Sequence, residues 1–202
     1  MMYDISRDIL ALMVKLLYKV KIFDRKNIPS GPFIVASNHL SYLDPPLVGL
    51  IFRKHKLNFM AKKELFEKPI IGRWFHLVKC IPLDRGKNSV TSMREAIKRL
   101  KDGKNLAIFP EGTRSEDGGI QEAKRGVGFI IAKAAVPVIP VYIHGTNVGL
   151  SKKGKMKLWA KVTARVGEPI SPQEIMANNP DKKDYSEIST YVMKKITELG
   201  KQ

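Results

Sequence analysis

The first residues in the chain whose types and spacing suit chemistry are a histidine and an aspartate separated by four positions. His39 and Asp44 belong to the run Asn-His-Leu-Ser-Tyr-Leu-Asp at 38–44, which follows a short apolar segment. An imidazole can accept a proton at one nitrogen while a carboxylate holds the other, which is how a general base works. Positions five apart lie on different faces of one continuous helix, so this pair requires a loop.

Asp44 is followed by two prolines, and this pattern predicts where a helix begins. Aspartate is a favoured N-cap residue and proline is favoured at the first helical position, so the helix should start directly after Asp44. His39 then lies in a strand-to-helix loop that folds back toward the carboxylate. The same residues also fit a simpler arrangement, in which Asp44 only caps the helix and His39 is an incidental loop residue.

Two more polar clusters come directly after apolar segments that predict strands. Arg85 follows the segment 81–83, and the run Phe-Pro-Glu-Gly-Thr-Arg-Ser at 109–115 follows the segment 106–109. Ligands of α/β folds bind beyond the carboxyl ends of strands, and arginine can hold a phosphate through two parallel hydrogen bonds. Both clusters are therefore candidates for an anion site, although a surface ion pair with Asp84 also accounts for Arg85.

A fourth block, Val-Pro-Val-Ile-Pro-Val at 136–141, is apolar with two prolines, which is typical of an irregular strand that lines an apolar pocket. In this order the four blocks resemble the signature of the glycerolipid acyltransferases, the family of 1-acyl-sn-glycerol-3-phosphate acyltransferase. That signature is Asn-His-x4-Asp, a strand ending in Asp-Arg, Phe-Pro-Glu-Gly-Thr-Arg-Ser and an apolar Val-Pro-x-x-Pro. The resemblance extends from about residue 33 to residue 145.

The resemblance implies a reaction and the residues that perform it. The reaction transfers a fatty acyl group from a thioester to the sn-2 hydroxyl of lysophosphatidic acid, giving phosphatidic acid. His39 acts as the general base, Asp44 sets its tautomer, and no covalent acyl-enzyme forms. The alternative nucleophiles are Ser41, only two positions beyond His39, and Cys80, which lies in a predicted strand with no adjacent base.

The resemblance also implies which residues bind the substrate. The glycerol phosphate is expected at the second and third blocks and a following lysine, namely Arg85, Glu111, Gly112, Thr113, Arg114 and Lys124. Asn38, or a backbone N–H near it, is the expected oxyanion donor. No metal and no cofactor is implied, because the acyl donor, acyl-CoA or acyl-[acyl carrier protein], is itself a substrate.

The rest of the sequence predicts the elements that position these blocks. Short apolar segments between turn residues predict strands at 33–37, 57–61, 80–83, 106–109 and 136–143. Apolar residues at helical spacing predict helices at 47–52, 64–78 with an interruption at Pro69, 90–101, 126–135 and 185–199. The segment 156–166 alternates apolar with mostly basic residues, which predicts a strand near a sheet edge. Strands alternating with helices predict a single α/β domain with a mixed, largely parallel central sheet flanked by helices.

The N-terminal segment 4–23 carries apolar residues over most of a predicted helix and polar residues on one narrow strip. Two arrangements fit this pattern: a helix packed on the domain core, or an amphipathic interfacial helix with its apolar side in lipid. A cluster of basic residues can attract anionic headgroups, namely Lys15, Lys19, Lys21, Arg25 and Lys26. Under the interfacial interpretation, residues 1–27 are a membrane anchor and residues 28–202 are the catalytic domain.

The 202 residues carry 36 Lys and Arg against 19 Asp and Glu, a formal net charge of +17. This excess predicts anionic partners: an anionic membrane surface, lysophosphatidic acid, and acyl-CoA or an acidic acyl carrier protein. No segment is long and apolar enough to predict a membrane-spanning helix, so the expected location is peripheral or monotopic on the cytoplasmic face of the membrane. The single cysteine excludes an intrachain disulfide.

Three other functions fit part of the sequence. An acyltransferase for another lysophospholipid or lipid acceptor has the same blocks, and a panel of acceptors distinguishes it. A basic nucleic-acid-binding domain fits the charge, but the sequence has no helix-turn-helix, zinc-finger or RNP-like pattern, so no nucleic acid is expected as a partner. A non-catalytic lipid carrier fits the apolar block but leaves His39 and Asp44 without a role.

Overall fold

The structure, a computed structural model, describes residues 2–25, 28–84, 89–151, 154–179 and 184–202. Its strands are Lys19–Phe23 (β1), Ile34–Ser37 (β2), Leu57–Lys62 (β3), Ile81–Leu83 (β4), Asn105–Ile108 (β5), Val138–His144 (β6) and Lys161–Val166 (β7). Its helices are Met2–Leu17 (α1), Asp44–Ile51 (α2), Pro69–Leu77 (α3), Ser89–Lys101 (α4), Arg125–Ala134 (α5), Thr146–Gly149 (α6), Pro172–Ala177 (α7) and Tyr185–Leu199 (α8). A 3₁₀ turn at Lys63–Leu65 precedes α3, so the helical region predicted at 64–78 is interrupted where Pro69 indicates.

The strands form one sheet in the order β1-β7-β6-β2-β5-β3-β4. Neighbouring strands run parallel except β6 and β7, which run antiparallel. The predicted α/β domain with a mixed, largely parallel sheet is therefore confirmed. The prediction succeeded because parallel strands are covered on both faces and so appear in the sequence as short, continuous apolar runs.

Helices cover both faces of the sheet, and each strand divides its side chains between them because successive residues point to opposite faces. In β2, Val35 faces the layer that α1 and α2 form, whereas Ile34 faces the layer that α4, α5 and α8 form. Both side chains are almost completely buried. Two apolar cores thus hold the sheet between two helical layers.

The first helix is shorter than the sequence predicts. The pattern predicts a helix over 4–23, but α1 ends at Leu17 and residues 19–23 form β1, which pairs with β7. Side chains of β1 alternate between exposed and half-buried, the period of a strand, and pairing with β7 satisfies their backbone groups. The sheet therefore includes residues on both sides of the predicted boundary at residue 27.

The two faces of α1 differ sharply in what they contact. Ala11 and Val14 are buried on the side of α2, and the hydroxyl of Tyr3 accepts a hydrogen bond from the backbone N–H of Leu57 at 2.8 Å. The opposite face is apolar and exposed, and consists of Met2, Ile5, Ile9, Leu12, Met13 and Leu16. Among the described helices, none has the length and apolar character that crossing a membrane requires.

The direction of β7 determines which segments lie at the end of the sheet where β2 ends and the segment with His39 and Asp44 begins. The parallel strands β2, β5 and β6 end at one end of the sheet, which we call its carboxyl end. Because β7 runs antiparallel to β6, it begins at that end, and so does β1, which is parallel to β7. The strand predicted over 156–166 begins only at Lys161. Its register partner Lys19 is the first residue of β1, and α1 ends two residues before it at Leu17.

Candidate active site

The loop between β2 and α2 brings His39 and Asp44 into direct contact. His39 Nδ1 and Asp44 Oδ2 are 2.8 Å apart, and the Asp44 side chain is fully buried. The same oxygen accepts hydrogen bonds from the backbone N–H groups of Leu40, at 2.6 Å, and Ser41, at 2.7 Å. A carboxylate only accepts, so this pairing assigns the imidazole proton to Nδ1 and leaves Nε2 as the basic nitrogen.

Asp44 does not cap α2 as the sequence predicts. The N-cap residue is Leu43, which makes no side-chain capping bond, and Asp44 is the first residue of the helix. Its carboxylate turns back into the loop, where the imidazole and two backbone N–H groups offer three donors. The two prolines after Asp44 still suit the first turn, because their missing N–H groups would have no helical acceptor there.

Phe109 supports one face of the His39 imidazole. The two rings stack with their centroids 4.2 Å apart and 20° between their planes. Phe109 directly follows β5, which pairs with β2 in parallel, so both rings emerge at the carboxyl end of the sheet. The His39 side chain remains 17% exposed, so the ring is held at one face and at Nδ1 yet still reaches solvent.

Glu111 is completely buried and connects the third block to the first. Its Oε1 accepts a hydrogen bond from the backbone N–H of His39 at 2.8 Å, and its Oε2 accepts one from Gln121 N–H at 3.2 Å. The N–H of Ser115 in turn donates to the carbonyl oxygen of His39 at 2.8 Å. Burial raises the pKa of Glu111 to about 7, and the two N–H bonds oppose this rise. Both carboxylate oxygens therefore accept hydrogen bonds from backbone N–H groups, and through one of these bonds Glu111 positions His39.

Asn38 joins the end of β2 to β6. Its side-chain Nδ2 donates to the carbonyl oxygen of Ile143 at 2.9 Å, and its Oδ1 accepts from the N–H of Ile143 at 2.7 Å. The residue is 1% exposed. These two bonds use the amide oxygen and one of the two N–H donors of the amide, so the second donor is the one that the expected oxyanion role requires. A backbone N–H of the loop remains the other candidate.

Arg114 lies beside the His39–Asp44 loop through an aromatic contact. Its guanidinium carbon is 3.6 Å from the ring centroid of Tyr42, a cation–π arrangement. Tyr42 is 58% exposed although both Ser41 and Asp44 are buried. Thr113 and Arg114 are half-buried in the same loop. The arginine of the third block is thus held against the loop that carries His39 and Asp44.

Gly112 gives the third block its turn and places Lys124 against it. Gly112 has a φ of +67°, which favours glycine, and a Cβ built there would lie 3.2 Å from Lys124 Cγ. The backbone N–H of Lys124 donates to the carbonyl oxygen of Pro110 at 2.8 Å. Lys124 therefore lies against this turn, and its side chain is exposed. Two other basic residues of the sequence-based predictions, Arg85 and Lys26, lie outside the residues that the structure describes.

Neither alternative nucleophile is placed for attack. The hydroxyl of Ser41 donates to the carbonyl oxygen of Leu150 at 2.6 Å and accepts from the N–H of Leu43 at 3.2 Å. Cys80 is buried, and burial raises the pKa of its thiol to about 12, so it is protonated at neutral pH. The hydroxyl of Ser41 therefore anchors the loop to the segment after α6.

Contributors to the site that the sequence did not predict include Tyr42, Phe109 and Gln121. The sequence does contain a signal for the first two. Tyr42 lies inside the His-x4-Asp loop and Phe109 begins the third block, and an aromatic residue at such a position indicates a ring contact. Gln121 contributes only its backbone N–H, and a backbone contact leaves no trace in residue type.

The fold and the site agree with what comparisons with known proteins find. A family model described as Acyltransferase matches residues 19–144, more than half of the chain. The chain therefore belongs to the acyltransferase family.

Individual relatives show which kind of acyltransferase within this family the chain is similar to. The chain is 33% identical to the 1-acyl-sn-glycerol-3-phosphate acyltransferase of Bacillus subtilis, over 98% of this chain and 96% of that protein. It is 35% identical to the chloroplastic 1-acyl-sn-glycerol-3-phosphate acyltransferase BAT2 of Brassica napus, over 64% of this chain and 38% of that protein. The crystal structure of the 1-acyl-sn-glycerophosphate (LPA) acyltransferase PlsC from Thermotoga maritima superposes with a TM-score of 0.75 and 30% identity, over 97% of this chain and 80% of that one. These similarities confirm the resemblance carried by the four blocks.

Proposed function

We propose that the chain transfers a fatty acyl group from an acyl thioester to the sn-2 hydroxyl of lysophosphatidic acid, forming phosphatidic acid. The observation that carries this proposal is the 2.8 Å contact between His39 Nδ1 and the buried Asp44 carboxylate. The relatives from Bacillus subtilis and Brassica napus carry, in their names, 1-acyl-sn-glycerol-3-phosphate as the acceptor, which is lysophosphatidic acid.

The chemistry follows from the weak nucleophilicity of an alcohol at neutral pH, which requires a base at the acceptor hydroxyl. His39 Nε2 removes the hydroxyl proton as the oxygen attacks the carbonyl carbon of the thioester. The C–O bond forms, the C–S bond breaks, and the leaving thiolate takes the proton from the imidazolium. Asp44 stabilises that imidazolium because its carboxylate stays in contact with Nδ1 throughout.

The phosphate of the acceptor is bound by the cations beside this pair. Arg114 is held next to the loop by Tyr42, and Lys124 lies against the turn at Gly112. Arginine offers phosphate two parallel donors, whereas lysine offers a point charge. We assign the phosphate to Arg114, with Lys124 and Arg85 as additional cations.

The acceptor and the product are membrane amphiphiles, which gives the exposed face of α1 a function. Three residues of α3 are also apolar and exposed, namely Ile70, Ile71 and Leu77. The two helices are joined by a hydrogen bond from Trp74 Nε1 to Ser6 Oγ at 3.1 Å. Their exposed faces form the side on which the enzyme lies at the cytoplasmic face of the membrane, as an interfacial rather than a spanning protein.

The test is acyl transfer by detergent-solubilised protein, with lysophosphatidic acid and the two donors, acyl-CoA and acyl-[acyl carrier protein], in parallel reactions. Both donors are anionic and suit the net charge of +17, so the assay decides between them. We expect phosphatidic acid from at least one donor. His39→Ala should lower kcat by at least about 100-fold, because general-base catalysis contributes about 10²–10⁴-fold.

Ser41→Ala is the matched control, because it removes the neighbouring hydroxyl from the same loop. Its Oγ holds Leu150 and not a substrate, so we expect activity within about tenfold of the wild type. A folded Ser41→Ala variant without activity, or a His39→Ala variant with more than a tenth of the turnover, contradicts the base mechanism. If a panel of acceptors shows faster acylation of another lysophospholipid, that lipid is the acceptor in place of lysophosphatidic acid, and the proposed mechanism is unchanged.

A further inference from the structure

Residues 155–161, which are exposed except for the buried Ala160, lie before and at the start of β7, at the carboxyl end of the sheet. Met156, Leu158 and Trp159 are 60%, 43% and 65% exposed, and Lys155 and Lys157 are exposed among them. Single apolar residues are common on protein surfaces, but three within four positions form a patch that indicates an interaction site. We call this the lysine–tryptophan segment.

Two backbone connections fix this segment between α1 and the catalytic loop. The N–H of Trp159 donates to the carbonyl oxygen of Leu17, the last residue of α1, at 2.7 Å. On the other side, Leu150 forms an isolated antiparallel bridge with Met156 and accepts the hydroxyl of Ser41 at 2.6 Å. The segment therefore continues the exposed apolar face of α1 toward the loop that carries the base.

Positive charge is concentrated at the same place. Lys19 of β1 and Lys161 of β7 are register partners in the parallel ladder, and both are exposed. Like charges directly opposite each other destabilise a sheet. Lys155 and Lys157 add two more positive charges to this pair. An anionic surface relieves the repulsion among the four lysines, whereas a neutral apolar surface does not.

The backbone at Trp159 gives a second reason to expect a partner. Its φ of +54° lies in the left-handed region, which is unusual for a bulky side chain and costs stability. The ring is nevertheless 65% exposed, so this chain gains little from burying it. Tryptophan is enriched where hydrocarbon meets the polar headgroups of a bilayer, because its ring is apolar and its N–H is polar.

We propose that the lysine–tryptophan segment, together with Lys19, binds the surface of an anionic lipid bilayer and holds the active-site end of the sheet against it. This inference rests on the proposed function, because the bilayer is where the acceptor and the product reside. The segment adds positive charge, at the active-site end of the sheet, to the mainly apolar exposed faces of α1 and α3. It also lies at the end of the sheet from which His39 emerges, so it orients the site toward its substrate.

The direct test follows the fluorescence of Trp159 in the full chain carrying Trp74→Phe, which leaves one tryptophan. Vesicles of phosphatidylcholine, with or without phosphatidylglycerol, are added, and lipids brominated in the acyl chain serve as quenchers. We expect a blue shift and quenching with the anionic vesicles and a much smaller change with the neutral ones. Unchanged Trp159 emission while the protein co-sediments with anionic vesicles overturns the proposal, since another face then holds the membrane.

A pair of charge reversals tests the lysines. Lys155→Glu with Lys157→Glu should weaken partitioning onto anionic vesicles at least about 25-fold, since each lysine near such a surface contributes about fivefold. The matched control is Lys101→Glu with Lys104→Glu, the same change at exposed positions before β5, at the opposite end of the sheet. We expect the control to lose less than about fivefold. Equal losses in both variants would mean that net charge acts without this segment.

Trp159→Gly separates this proposal from the proposed function. Glycine adopts a positive φ without strain, so the variant should fold at least as stably as the wild type. We expect it to bind anionic vesicles more weakly and to acylate a short-chain, monomeric acceptor in solution at an unchanged rate. Unaltered vesicle binding refutes the docking surface alone, whereas a wild-type chain that cannot acylate the soluble acceptor refutes the proposed function.

Discussion

The loops of the candidate active site bury polar side chains, whereas the surface that we propose binds the membrane exposes apolar ones. In the loops, the polar side chains of Asn38, Asp44 and Glu111 are buried, and each accepts a hydrogen bond from at least one backbone N–H group. On α1 and the lysine–tryptophan segment, large apolar side chains such as Leu16 and Trp159 are 65% exposed. The polar groups of the loops are thus bonded within the chain, whereas the surface that we propose binds the membrane leaves its apolar groups exposed.

The two regions differ because burial has opposite consequences for their side chains. A buried polar group destabilises the fold unless it is hydrogen-bonded, and a satisfied network then becomes rigid. An exposed apolar group costs little while the protein is in water, but it stabilises a complex once a partner covers it. Substitutions in the first region should therefore affect catalysis or folding, and those in the second should affect association.

The largest effect is expected at Asp44. Asp44→Asn can keep an oxygen at the position of Oδ2 and accept the same three hydrogen bonds, but it removes the charge that stabilises the imidazolium. We expect kcat to fall by about 10²–10⁴-fold. We also expect a lower Tm, because the amide nitrogen takes the place of Oδ1, which is buried without a hydrogen-bond partner among the described residues. Steady-state kinetics and thermal unfolding check this together. A variant that retains more than a tenth of the turnover would show that hydrogen bonding alone orients His39.

The two faces of α1 allow the same comparison within one helix. Val14→Ala shortens a side chain that is 4% exposed and should lower the free energy of unfolding by roughly 1–3 kcal/mol. Leu12→Ser changes a side chain that is 57% exposed and should shift it by less than about 0.5 kcal/mol, while it weakens binding to vesicles. Denaturant titration and vesicle sedimentation give both values. Equal destabilisation by the two changes would place both faces in the core.

Glu111 should make stability depend on pH. Its pKa is about 7 in the folded chain, above the ordinary 4.5, so the folded state binds this proton more tightly. The stabilisation is complete below about pH 4.5 and is lost as the pH rises to about 7. Relative to Glu111→Gln, the wild type should lose roughly 1–3 kcal/mol of unfolding free energy across this range.

Denaturant unfolding at a series of pH values checks the effect of Glu111. The Gln variant serves as the reference because every other titrating group is shared with the wild type. Parallel stability curves for the two proteins would mean that Glu111 keeps an ordinary pKa despite its burial.

The smallest effect is expected at Tyr42, whose ring lies under the Arg114 guanidinium. Tyr42→Ala should raise the KM of the acceptor by about 2–30-fold with kcat nearly unchanged, since a cation–π contact contributes about 0.5–2 kcal/mol. Tyr42→Phe keeps the ring and should resemble the wild type. If Phe and Ala raise the KM equally, the hydroxyl rather than the ring holds the arginine.

The sequence alone determined the largely parallel sheet and the candidate pair of His39 and Asp44. Buried parallel strands appear as short apolar runs, and His39 with Asp44 belongs to a motif whose residue types and spacing can be read directly. The sequence did not determine which backbone groups the side chains of Asp44 and Asn38 bond. A side-chain oxygen can bond any nearby N–H, and which N–H groups are near is decided by how the loops fold over the ends of the strands.

The N-terminal 23 residues show the same division. The sequence determined an amphipathic helix and an alternating basic segment near residue 160, but only the tertiary structure divided 4–23 into a helix and a strand. Local pattern fits both, because residues 19–23 satisfy a period of two as well as a helical one, and pairing with β7 selects the strand. The antiparallel direction of β7 then places Trp159 and the lysines beside the active site. Strand direction is a property of the whole sheet, so residues distant in sequence had to meet before this surface could exist.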